Sequence, residues 1–100
     1  MEINNVIDGI QIFANEYASP ESVVLILTDR LIQELRYMFG FINCEFYVLN
    51  DKMLPGIDIT FDKILPLFDN TFDIIICLKE IENDELERVL KKKGKIFKKL

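Results

Sequence analysis

The chain has no histidine and only two cysteines, Cys44 and Cys77, among its 100 residues. A zinc site takes about four nitrogen or sulfur ligands, so this chain alone cannot build one. Two isolated cysteines do not make a disulfide framework either. Cys77 lies inside an apolar run, where a thiol usually packs as a small hydrophobe. No apolar run approaches the ~20 residues needed to span a bilayer. Met1–Asn5 lacks the basic region and long apolar stretch of a signal peptide. No membrane segment is expected, and the default location is cytoplasmic.

Negative charge is missing from the tail. Residues 88–100 hold seven basic residues and no acidic ones. Residues 1–87 hold all seventeen acidic residues and five basic ones. The net charge of -5 therefore hides a body of -12 and a tail of +7. Lys91, Lys92, Lys93, Lys95, Lys98 and Lys99 form the only candidate patch for nucleic acid. The acidic body would repel that partner, so nucleic acid is not expected. An apolar fraction of 50% is ample for folding in a single domain spanning residues 1–100. In so small a domain it also predicts a sticky surface, hence a homo-oligomer or a protein partner.

Ile3, Val6, Ile7, Ile10, Phe13, Ala14 and Tyr17 have the spacing of a helix with one buried stripe. Asn4 or Asn5 can cap this helix, and Ser19-Pro20 stops it. Ser22–Leu27 is continuously apolar after its first residue, which predicts a central strand covered on both faces. Thr28-Asp29 offers a helix cap, Leu31 to Phe39 a second helical stripe, and Gly40 an end to it. Glu45–Leu49 reads as a second strand, followed by an Asn50-Asp51 turn. Residues 52–71 are ambiguous. Pro55-Gly56 signals a turn; Gly56 to Phe61 fits a short strand, and Thr60 to Leu65 fits one helical turn before Pro66.

Phe72–Leu78 is the strongest strand in the chain. Asn83 can cap a third helix, with Leu86, Val89 and Leu90 facing inward. Lys91-Lys92-Lys93 would fill its last turn and Gly94 would follow, with a short final strand at Ile96-Phe97. Strands alternating with helices predict right-handed crossovers. The expected fold is α/β: a small three-layer, Rossmann-like domain with a mainly parallel sheet of about four strands.

The stretch Leu65-Pro66-Leu67-Phe68-Asp69-Asn70-Thr71-Phe72-Asp73-Ile74-Ile75-Ile76-Cys77 resembles the "LPF-x-DNSFDVV" segment of class I S-adenosylmethionine-dependent methyltransferases. Glu85-Leu86-Glu87-Arg88-Val89-Leu90, with Lys92-Lys93-Gly94-Lys95, is similar to their "E-x-x-RVLKPGGKLV" segment. The resemblance spans residues 64–99. It implies a Rossmann-like fold and S-adenosylmethionine as cofactor. By position, it places Asp51 at the ribose-binding acid and Asp62 near the adenine-binding one. It also places Asp29 in the first loop and Leu78, Lys79 and Glu80 in the loop nearest substrate.

The chain departs from that family where the first strand ends. Thr28-Asp29-Arg30-Leu31 holds no glycine, although a close approach of backbone to cofactor favours one. Only twenty residues separate Asp51 from Phe72, too few for the usual helix and strand. Plainer roles also exist for the same residues. Asp51 suits a turn, Asp29 a helix cap, and Lys79-Glu80 a solvated loop. Lysines suit a helix C-terminus or a guarded edge strand. No catalytic residue is named. The expected function is association by a domain without catalytic activity. The alternative is a minimal S-adenosylmethionine-binding methyltransferase of unknown acceptor.

Overall fold

Val23–Leu27 is apolar at every position because it runs through the middle of a sheet covered on both sides. The computed structural model describes residues 2–100, and side chains from Asn5 onward. Met1, and the side chains of Ile3 and Asn4 in the expected stripe and cap, lie outside the described residues. The elements are α1 (Glu2–Tyr17), β1 (Val23–Leu27), α2 (Ile32–Ile42), β2 (Glu45–Asn50), β3 (Ile59–Thr60), β4 (Phe72–Cys77), α3 (Asn83–Val89) and β5 (Leu90–Lys98). The sheet has five strands, all parallel, in the order β3-β2-β1-β4-β5. The fold is therefore α/β and compatible with a small three-layer Rossmann-like domain, with one strand more than expected. The extra strand is β3, which settles the ambiguous segment as strand rather than helical turn.

Two apolar clusters sandwich the sheet. On one face, Val24 and Ile26 of β1 and Ile74 and Ile76 of β4 pack under Ile10, Ala14, Leu35 and Phe39 of α1 and α2. On the other, Leu25, Leu27, Ile75 and Cys77 pack under Leu86 and Val89 of α3 and under Leu65. The odd and even residues of β1 thus feed opposite cores, as the twofold period of a strand requires. Register between β1 and β4 runs from Val24 opposite Ile74 to Leu27 opposite Cys77. The Asp73 carboxylate accepts the Val23 amide at 2.8 Å, tying the start of one strand to the other.

The second cover is made with less helix than parallel sheets usually have. The β3–β4 connection, residues 61–71, contains no helix. A loop laid over a core leaves backbone groups without partners. Here Arg88 of α3 supplies them. Its guanidinium donates to the carbonyls of Leu65 and Leu67, each at 2.8 Å, and to the Asp69 carboxylate at 2.7 Å. Glu85 holds that guanidinium at 2.9 Å and also accepts the Leu65 amide at 2.8 Å. The two stretches that carry the methyltransferase resemblance are therefore joined by one clamp, which needs no cofactor to explain it.

Several expected boundaries move, each for a tertiary reason. The backbone of α1 is already helical at Glu2, so Asn4 and Asn5 sit inside the helix rather than at its cap. α2 begins at Ile32 after Leu31 in the left-handed conformation (φ 55°), not after a Thr28 or Asp29 cap. The Thr28 hydroxyl instead closes the loop, donating to the Arg30 carbonyl at 2.6 Å. α2 passes through Gly40 and ends at Asn43 (φ 67°), which takes the left-handed cap. Asn83 is the first helical residue of α3, after Glu82.

The largest shift concerns the lysines. α3 stops at Val89, and Lys91, Lys92 and Lys93 belong to β5 rather than to a helical turn. The Asn70 and Thr71 amides donate to the carbonyls of Arg88 and Val89, each at 2.9 Å, and so take the groups a longer helix would use. Leu90 pairs with Phe72, and the next pairing is Lys95 with Ile74, so the lysine run bulges out between them. Gly94 closes the bulge. A Cβ there would lie 2.5 Å from Leu90 Cδ1 and 3.0 Å from the Asp73 carbonyl oxygen.

Arg88→Ala should clearly lower the urea unfolding midpoint, because it strips partners from the Leu65 and Leu67 carbonyls. Arg88→Lys should lose most of the same amount, since an ammonium cannot fork among three acceptors. A lysine variant as stable as the parent would disprove the clamp. Gly94→Ala should cost about 1–3 kcal/mol through overpacking at the bulge. An unchanged melting curve would show that the bulge has room.

Candidate functional site

In an open parallel sheet, ligands bind beyond the carboxyl ends of the strands, where the strand order reverses. In this chain the order reverses between β1 and β4. The loops that meet there are Thr28–Leu31 after β1, Asn50–Lys52 after β2, and Leu78–Glu82 after β4. An open cleft of about 710 Å³ lies along this edge. Asp51, Asp62, Lys79 and Glu80 line it, together with Phe61, Lys63 and Lys98.

The structure thus brings four of the six expected cofactor residues to one cleft. Leu78 is not on its wall; the side chain is 1% exposed and packs in the first core. Asp29 is also elsewhere, paired with Arg30 at 3.3 Å on the surface.

The crest of β1 is crossed by the protein's own cations. Lys79, at the end of β4, reaches over β1 to β2, a span of two strand spacings or about 10 Å. Its ammonium donates to Asn50 Oδ1 at 2.5 Å and to Asp51 Oδ1 at 2.7 Å. Arg30 donates from the β1 loop to the Leu78 carbonyl at 3.2 Å. The Lys79 side chain is 17% exposed and that of Asp51 51%, so the arch is covered at Asn50 and open to water at Asp51. Its hydrogen bond holds the Asp51 carboxyl below its ordinary pKa. Lys79 thus takes one carboxylate oxygen of Asp51, Oδ1, while the side chain remains half exposed.

The first loop follows the same logic. Thr28 is fully buried. Leu31 holds the backbone conformation that glycine adopts freely, but it brings a half-buried side chain that packs on the first core. The Arg30 amide donates to the Thr28 hydroxyl at 3.0 Å. Asn50 is the functional residue that sequence reading overlooked. It is 1% exposed, and its amide is satisfied by Lys79 and by the Lys52 carbonyl. A polar residue closing an apolar strand was the available signal.

Among the described residues no group of Asp, Glu, Cys and His is arranged to hold a metal ion. No helix there is long and apolar enough to cross a membrane. No protein family, curated protein or solved structure matches this chain.

Asp51 and Glu85 both have lowered folded pKa values, through Lys79 and Arg88 respectively. Their stabilisation is complete above the ordinary carboxylate range and fades as pH falls through the lowered values. Urea midpoints should therefore drop from about pH 5 downward. Asp51→Asn combined with Glu85→Gln should flatten that decline. An acid limb unchanged in the double variant would assign the loss to other carboxylates.

Proposed function

We propose that this chain is a Rossmann-like domain without catalytic activity, working through association with itself or with another protein. The observation that carries the reading is the Lys79 arch, which engages Asp51 above β1, where a nucleotide cofactor would need it. The glycine-free first loop supports the same reading.

The surface supports it as well. Tyr37, Phe41, Ile64 and Phe68 are 70–87% exposed, a large apolar display for so small a domain. The basic tail offers less to a nucleic acid than its composition suggests. Lys91 pairs with Asp73 at 3.3 Å, Lys95 lies over the Tyr17 ring at 5.5 Å, and Lys98 bonds Asn83 at 3.0 Å. The thiols of Cys44 and Cys77 are free, which suits a reducing cytoplasmic compartment.

A second reading, a minimal S-adenosylmethionine-dependent methyltransferase, draws on the volume of the cleft and on the presence of Asp51 and Asp62 in its wall. It requires Asp51 to accept the cofactor on its second carboxylate oxygen beside the Lys79 ammonium, or Lys79 to release the first.

Calorimetric titration with S-adenosylmethionine and with its demethylated product separates the two. No heat is expected with either compound. Saturable binding of either one, weakened by Asp51→Ala, would replace the first reading with the second.

A further inference from the structure

We propose that the outer face of α1 and α2 binds a second copy of this chain about a two-fold axis. Phe41 of each copy seats in the α1–α2 groove of the other. The proposal rests on the association reading above and names its surface.

The groove has a volume of about 420 Å³ and is floored by Ile7, Met38 and Ile42. Phe41 and Tyr37 stand on its α2 bank, 84% and 78% exposed. A projecting aromatic and a receptive apolar groove thus lie on one face of one molecule. An isologous contact needs that arrangement, because each copy must offer both halves. A foreign partner would need only one of them.

Gly40 adds an independent observation. It lies inside α2, where glycine costs ~1 kcal/mol relative to alanine. A Cβ at this position would meet nothing within 4 Å. The isolated chain therefore gives no steric reason for glycine here. Lying between Tyr37 and Phe41 in the helix, the bare backbone lets a second helix come close.

Charge and area point the same way. Glu34 is the sole ionised group lining the groove, and Gln11 and Asn15 opposite it are neutral. Two copies that each carry a net charge of -5 meet with least repulsion on such a face. The two aromatics expose roughly 300 Å² per copy, given ~150–250 Å² for each such side chain. The exposed Gln11, Asn15, Gln33 and Glu34 extend the face toward the ~800 Å² per partner of a standard interface.

Sedimentation velocity over a micromolar concentration series tests this with four proteins. The parent chain and a Phe68→Lys control, altered in the β3–β4 loop, should both sediment as dimers. Gly40→Arg and Phe41→Lys should raise the dimer dissociation constant at least about tenfold. Both positions are exposed, so circular dichroism and dilute-solution urea midpoints should remain those of a folded chain. Dimers that persist in both variants would overturn the surface and leave association standing. A parent chain monomeric throughout would overturn the surface and self-association together.

Discussion

A parallel sheet buried on both faces must be covered twice, and this chain has three helices with which to do it. Two of them, α1 and α2, lie on one face. The other face is left to the seven-residue α3 and to the helix-free connection before β4. Helices satisfy their own backbone groups; loops do not. The Arg88–Glu85 clamp is the chemical answer to that shortage. It lets residues 65–69 lie over Leu25, Leu27 and Ile75 without stranding polar groups. Were it absent, Leu65 and Leu67 could lie beside α3 on that face only with their carbonyls deprived of the Arg88 guanidinium.

The same economy shapes the carboxyl edge. A larger relative of this architecture can spend a glycine-rich loop on a cofactor. Here the loop after β1 is short and capped by Leu31, and it is locked by the Thr28 hydroxyl. Lys79 and Arg30 then fasten the strand ends to one another. These contacts join the ends of β1, β2 and β4 beside the open cleft. Asp51 serves both edge and cleft: one carboxylate oxygen is held by Lys79, and the side chain stays in the cleft wall. On the outer face of α2, Tyr37 and Phe41 stand 78% and 84% exposed.

Much of this was legible beforehand. The apolar run at Val23–Leu27 and the run Ile74–Leu78 within the expected strand Phe72–Leu78 announced strands covered on both sides, and the stripes at Ile3–Tyr17 and Leu31–Phe39 announced the helices above them. Lys79 and Glu80 followed from the carboxyl end of the strongest strand, whereas Asp51 and Asp62 were placed by the resemblance; the cleft holds all four. The lysine run was misread because local preference favours cations at a helix C-terminus, whereas the amides of Asn70 and Thr71 had already claimed the carbonyls involved. The α2 boundaries failed in the same way, since left-handed Leu31 and Asn43 carry no cap signature strong enough to outrank Asp29 and Gly40.

The amino-acid order by itself determined the class of fold, because burial on one face or two is written in the period of apolar residues. It also determined which residues sit at the strand ends. Only the tertiary structure decided what those residues touch. Whether Asp51 stands alone in the cleft wall or beside an ammonium depends on a lysine twenty-eight positions away reaching across an intervening strand. Local patterning carries no trace of a contact whose partners are brought together only when the sheet is assembled.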